Sequence, residues 1–271
     1  MFIKRSLCIL IVLLCCIRVL NAQNGYTFHN KVFKPGERIT YKIKYHWHFV
    51  WLESGEVTFS VAASNYHGIP SYYFLGSGFS YAKYDWFYKV RDTFQTYIDT
   101  VSFAPLRFCR FTNEGSNHIV TDNIFDFVHY KAFCFSSGKG NYKEDSVPLP
   151  PSTFDVLSGI YYTRSLTFAN CKYNDTIPLI LYLDGKIYHI HLRYRGKENI
   201  STSLGKFRCI KFSVSLISGT IFKEGEEMTV WATDDANHLP LLVEAPIIIG
   251  SVRAELQSFS NLKSPIDAKV K

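Results

Sequence analysis

Between residues 37 and 49 apolar and polar side chains alternate without a break. Ile39, Tyr41, Ile43, Tyr45, Trp47 and Phe49 take the odd positions, and Arg38, Thr40, Lys42, Lys44, His46 and His48 the even ones. A period of two sustained this long predicts a half-buried antiparallel strand. Pro35 and Gly36 start it, Glu53-Ser54-Gly55 interrupts the pattern, and Val57, Phe59 and Val61 resume it, which predicts a long hairpin. A second hairpin is predicted at Asp184-Gly185, a two-residue type I′ signal between apolar runs. Folding about it sets Leu183 opposite Lys186, Leu181 opposite Tyr188 and Leu179 opposite Ile190, with Leu192 and Tyr194 continuing that face. His189, His191 and Arg193 fall on the other. Further strand-like runs cover 71–75, 94–98, 106–111, 119–127, 131–135, 207–216, 228–232, 241–244 and 251–259.

One helix is predicted, near residues 153–165. The prolines at 148, 150 and 151 break the chain, and Ser152, Thr153 or Asp155 can cap a helix beginning there. Val156, Leu157, Ile160 and Tyr161 then recur at helical spacing before Arg164. About a dozen strands, one helix and no βα alternation predict a mainly β fold: a single large antiparallel sheet curled into a barrel or sandwich. No composition break or repeat divides residues 26–260, so residues 23–271 read as one domain.

Residues 1–22 read as a secretory signal. Lys4 and Arg5 precede an apolar run from Leu7 to Ile17, and Leu20-Asn21-Ala22 places a small residue before Gln23. The run has about 11 residues, too few to span a bilayer. Cleavage after Ala22 implies export to the periplasm or envelope, with no transmembrane segment left. Losing Lys4, Arg5 and Arg18 lowers the formal charge from +7 to about +4, a solubility property and no nucleic-acid footprint. Of seven cysteines, Cys109, Cys134, Cys171 and Cys209 remain. None forms a C-x-x-C pair, and both disulfides and buried thiols are compatible with their positions.

The chemistry-bearing patterns are sparse. There is no G-x-S-x-G elbow, H-E-x-x-H or phosphate loop. His46/His48 and His189/His191 are the His-x-His pairs; each shares its face with Lys or Arg and has no carboxylate two residues away, so no metal and no cofactor is indicated. Asp92, Asp99, Asp234 and Asp235 are candidate carboxylates for acid–base work, although Asp234-Asp235-Ala236-Asn237 is also a dense turn signal. Gly76-Ser77-Gly78 reads as a bend or bulge. Aromatic residues make up 16% of the chain. Tyr72, Phe74, Tyr81, Tyr84, Trp86 and Tyr88 crowd one stretch, and a concave sheet lined this way could hold an acyl chain or stack against sugar rings; alternatively they fill the core. Asp99-Thr100-Val101, Asp145-Ser146-Val147 and Asp175-Thr176-Ile177 resemble the O-glycosylation acceptor of Bacteroidetes, and Asn174 and Asn199 begin N-glycan sequons.

Several segments in order resemble the DUF3108 family of exported bacterial proteins. They are Phe33-Lys-Pro-Gly-Glu37 with Tyr41; Gly55-Glu56-Val57; residues 87–92 with Tyr97-Ile98-Asp99 and Pro105; residues 155–164; residues 205–209; and residues 231–240 with 250–256. Arg91, Asp92, Asp155, Arg164, Trp231, Asp234 and Asp235 are the motif positions of unassigned role. Where usual members have a tyrosine after the glutamate–glycine step, Ser116 comes after Glu114-Gly115. The resemblance implies an antiparallel β fold and an envelope address, and carries no activity. Low methionine, high Tyr and Phe, and the acceptor-like triplets suit a Bacteroidetes source. The expected role is non-enzymatic binding of an apolar or glycan ligand, or of an envelope partner, on a curved aromatic-lined sheet. A carbohydrate hydrolase using Asp92 and Asp234, or a structural domain without ligand, is the alternative. An open cavity or a packed interior distinguishes them.

Overall fold

A computed structural model describes residues 28–47, 50–86, 89–138, 140–215, 225–247 and 250–270. The expected signal peptide lies outside the described residues. The chain forms one 15-stranded sheet. Strands β1 (Arg38–Trp47), β2 (Val50–Tyr66), β3 (Ile69–Ser80), β4 (Arg91–Asp99), β5 (Pro105–Glu114), β6 (Asn117–Asp126), β7 (Lys131–Gly138) and β8 (Asn141–Pro148) succeed one another as a meander. The two-residue β9 (Thr153–Phe154) and the helix α1 (Val156–Arg164) come next. A second meander then runs back through β10 (Thr176–Leu183), β11 (Lys186–Thr202), β12 (Gly205–Ser215), β13 (Glu227–Thr233), β14 (Pro240–Pro246) and β15 (Ser251–Ser260). β15 pairs with β1 and joins the halves, so β8 and β9 are the ends of an unclosed sheet. All pairings are antiparallel except that of β9 with β10.

The Asp184-Gly185 hairpin has the expected register, with Leu179, Leu181 and Leu183 opposite Ile190, Tyr188 and Lys186. Both turn residues adopt positive φ, 51° and 73°, as a type I′ turn requires. The interruption at Glu53-Ser54-Gly55 is a bulge inside β2, not a gap. The register slips between Ile43 and Lys44, and Ser54 Oγ caps the Ile43 carbonyl. A Cβ on Gly55 would sit 2.2 Å from the Phe79 carbonyl oxygen, so only glycine fits there. Gly76-Ser77-Gly78 is no bend: it runs straight through β3. Gly76 makes room for the side chains of Leu157 and Phe59, and Gly159 lies against Leu181, so α1 seats closely between β3 and β10. β8 has no apolar alternation to announce it, being Asn-Tyr-Lys-Glu-Asp-Ser-Val-Pro with almost every residue exposed.

The curl is filled. Phe28, Val32 and Phe33 enter it from the N-terminal segment, Leu157 and Tyr161 from α1, and Phe74, Ile98, Phe108 and Phe125 from β3 to β6. Phe33 packs edge-on against Tyr72, Phe74 and Tyr161 at ring separations of 5.1–5.2 Å. Each aromatic fully buried this way contributes roughly 2–3 kcal/mol. β10 is covered on both faces, which its continuous apolar run reflects. Leu181 meets α1, whereas Tyr182, fully buried, stacks edge-on to Phe125 and donates to Asn123 Oδ1 at 2.8 Å. Arg110 on β5 reaches Asp184 at 2.7 Å, so side chains rather than a backbone ladder hold this seam.

One cation joins the parts. Arg164, at the last turn of α1, is 3% exposed and pairs with Glu37, which is 0% exposed, through Nη1–Oε1 at 2.6 Å and Nη2–Oε2 at 3.1 Å. It also donates to the carbonyls of Val32 and Asn237, and its own carbonyl bonds His238 Nδ1. Burial pulls the guanidinium pKa down, but Glu37 outweighs it and holds Arg164 charged. Removing one partner strands a buried charge, so Arg164→Met is expected to cost about 3–5 kcal/mol in urea unfolding. The double variant Glu37→Gln/Arg164→Met should recover part of that loss. A single variant within about 1 kcal/mol of the parent would refute this account.

Candidate functional site

Opposite faces of the β3–β8 sheet carry different chemistry, because successive strand residues point to opposite sides. Tyr72, Phe74, Thr96, Ile98, Phe108 and Phe125 point inward. Their neighbours of opposite parity point outward, and the register lines them up across strands. One outer row reads Tyr73, Tyr97, Arg107, Ile124 and Phe133 on β3 to β7. A parallel row reads Ser77, Thr93, Phe111, Val120, Ser137 and Tyr142 on β3 to β8. Phe111, Val120, Ile124 and Tyr142 are exposed, the last by 67%. An open recess of about 560 Å³ lies at the second row, bounded by Phe111, Val120 and Tyr142.

The first row has its own electrostatics. Arg107 grips Asp122 with two bonds, Nε–Oδ1 at 2.8 Å and Nη2–Oδ2 at 2.6 Å. Cys109 lies beneath, its thiol 3.1 Å from Asp122 Oδ1. Burial, then Asp122, pushes this thiol up to about 12, so it is no nucleophile. Burial also raises the phenols of Tyr66 and Tyr73. Tyr66 and Tyr73 each sit 5.0 Å from Tyr97, ring to ring, at tilts of 35° and 45°.

The candidate aromatics do not form one site. Phe74 is core, stacked on Tyr161 at 4.2 Å, and Tyr72 packs on Phe33. Tyr81 donates to Glu56, and burial with that bond pushes its phenol up to about 12. Tyr84 lies in a single 3-10 turn with Lys83 over its ring, Trp86 is 83% exposed, and Tyr88 lies outside the described residues. The sequence pattern singles out none of Tyr66, Arg107 and Asp122, and Tyr97 only as part of a family motif. The alternating parity of Tyr73 against Tyr72 and Phe74 was the available signal.

The motif positions have structural partners. Arg91 pairs with Asp85 at 2.6 Å, not with Asp92, because strand neighbours face apart. Asp92 accepts from the Asn113 amide. Asp234 pairs with Lys197 at 2.9 Å, and Asp235 accepts from Thr233, Asn237 and Ala268 in a turn. Asp92 and Asp234 belong to places six strands apart in the sheet, so the structure does not bring them together. Trp231 donates to Glu198, under the Lys211 ammonium 5.1 Å from its ring. His189 and His191 are exposed, His46 stacks on Trp51, and His48 lies outside the described residues. Among the described residues no cluster of three or more His, Cys, Asp or Glu is placed to hold a metal, and the four described cysteines are free thiols.

These features define an open, filled, barrel-like β protein. Residues 40–257 match the family described as "Protein of unknown function (DUF3108)", and the chain belongs to that family. No curated protein matches it. Among solved structures it is similar to a beta-barrel-like protein of domain of unknown function DUF1849 from Brucella abortus. The TM-score is 0.58 at 11% identity, over 86% of this chain and 99% of that one. That likeness is one of fold.

Asp155 caps α1, accepting from the amides of Leu157 and Ser158 while fully buried. Thr96 Oγ1 lies 2.8 Å from Asp155 Oδ2 and 3.0 Å from the Arg107 carbonyl, and has one proton for both. Asp155 Oδ2 thus shares the Thr96 proton and also accepts from Ser158 Oγ at 2.9 Å. Burial raises the Asp155 pKa, against the bonds from Ser158, Thr96 and Leu157. The folded state therefore holds this proton more tightly than the unfolded one. Stability from this group is greatest in acid and falls as pH rises above about 4. Compared with Asp155→Asn, which keeps a capping oxygen, the parent should lose stability progressively between about pH 4 and its folded pKa. A difference constant across pH, measured by urea unfolding, would contradict a raised Asp155 pKa.

Proposed function

We propose that this protein is an exported, non-enzymatic binding protein of the cell envelope, and that the outer face of β3–β8 is where it binds. The observation that carries the reading is the inversion of the expected site: the concave side is filled by α1 and stacked aromatics, while exposed apolar side chains line the convex side. Solvated faces normally scatter such residues singly, and a contiguous set marks an interaction surface. The C-terminal strands carry ion pairs such as Arg253–Glu244 and Arg195–Glu227. No described helix is long and apolar enough to cross a membrane.

Strand addition at β8 fits less well. Lys143 and Asp145 pair at 3.1 Å, Asp145 also accepts from the Ser146 amide, and Pro148 ends the strand. Charges and proline blunt an edge in this way. Binding is thus expected on the face.

Methyl NMR of the full chain checks this. Envelope material from the source organism, separated into protein, lipid and polysaccharide fractions, should shift the Val120 and Ile124 methyl signals with at least one fraction. The Leu157 and Leu179 signals, inside the curl, should stay put. No shift at Val120 and Ile124 with any fraction, or shifts confined to the interior, would overturn the reading.

A further inference from the structure

We infer that the tyrosine row on this outer face is a subsite for a neutral, extended glycan chain; the inference rests on the binding reading above and names its ligand class. Tyr73, Tyr97, Arg107, Ile124 and Phe133 occupy successive strands at one level of the sheet. Adjacent strands are about 4.8 Å apart, a spacing comparable to the advance per ring of an extended pyranose chain laid across them. Tyr66 widens the row beside Tyr97.

Three features select sugar. The three tyrosine rings pack against one another at 5.0 Å and are half-buried, so each keeps part of its surface open to the outside. Among the described residues, the hydroxyls of Tyr66, Tyr73 and Tyr97 have no protein hydrogen-bond partner, and Arg107 commits Nε and Nη2 to Asp122. Ring faces beside uncommitted donors and acceptors match a pyranose, with its apolar C–H face and hydroxyl rim. Charge decides between neutral and anionic chains. Arg107 and Asp122 neutralise each other, and Asp126, next on the same face, is bonded to His129. An anionic polymer would meet the Asp122 and Asp126 carboxylates there, whereas a neutral one has no ion pair to break.

The test is titration of the full chain with cello-, malto-, xylo- and mannohexaose, monitored at the Ile124 methyl. A hexagalacturonate and a proline-rich peptide are run alongside. At least one neutral hexamer should bind. Tyr97→Ala should weaken that binding about tenfold and Tyr97→Phe less, since the ring outweighs its hydroxyl. Lys206→Ala, at an exposed position of β12 away from this face, should leave it unchanged. Equal binding by Tyr97→Ala, or preference for the charged hexamer or the peptide, overturns the inference. So does silence from all four sugars. If the envelope fractions still shift Val120 and Ile124, the binding face survives without the glycan. If nothing does, both fall together.

Discussion

The buried Arg164 guanidinium is the constraint on which the rest of the molecule is arranged. A charge with almost no access to water must be matched, and here Glu37, two carbonyls and the face of Tyr161 match it. Satisfying it brings together the end of α1, the start of β1 and the loop after β13. These are three of the segments that carry the family resemblance, and they meet in space for a physical reason. Glu37 lies at the head of the first strand, Asn237 beside the C-terminal tail that it bonds through Ser264 and Pro265. The motif residues whose role was open are thus accounted for by architecture: Asp155 starts the helix, Arg164 anchors it, and Asp235 ties the tail.

Anchoring α1 inside the curl has a second consequence. A 15-stranded sheet with free ends could enclose a cavity, as ligand-carrying barrels do. This one uses its interior for Phe33, Phe74, Leu157 and Tyr161, and closes its seam with Tyr182, Asn123, Arg110 and Asp184. The interior therefore supplies stability, and the proposed recognition falls to the outside. The outside of the N-terminal strands combines tyrosines and exposed aliphatic groups with ion pairs such as Arg107–Asp122.

The hairpin about Asp184-Gly185, the long alternating strands and the helix before Arg164 were all legible along the chain, because turn chemistry and side-chain period are local properties. The charged edge strand β8 was not legible, since an edge has no face to bury and no reason to alternate. Nor were the bulge at Ser54 and the straight passage of Gly76-Ser77-Gly78, because both depend on what lies on the next strand or above it.

Composition showed an aromatic excess and could not say where it goes. Alternation alone separates Tyr73 from Tyr72 and Phe74, and so assigns them to two faces. Only the tertiary structure decides which face is closed, because that depends on where α1 and the N-terminal segment come to rest. The sequence by itself determined the strands, the turn and the helix, all products of neighbouring residues. The tertiary structure decided that Phe74 is core while Tyr73, Tyr97 and Arg107 form a surface, since burial arises from contacts between residues far apart in the chain.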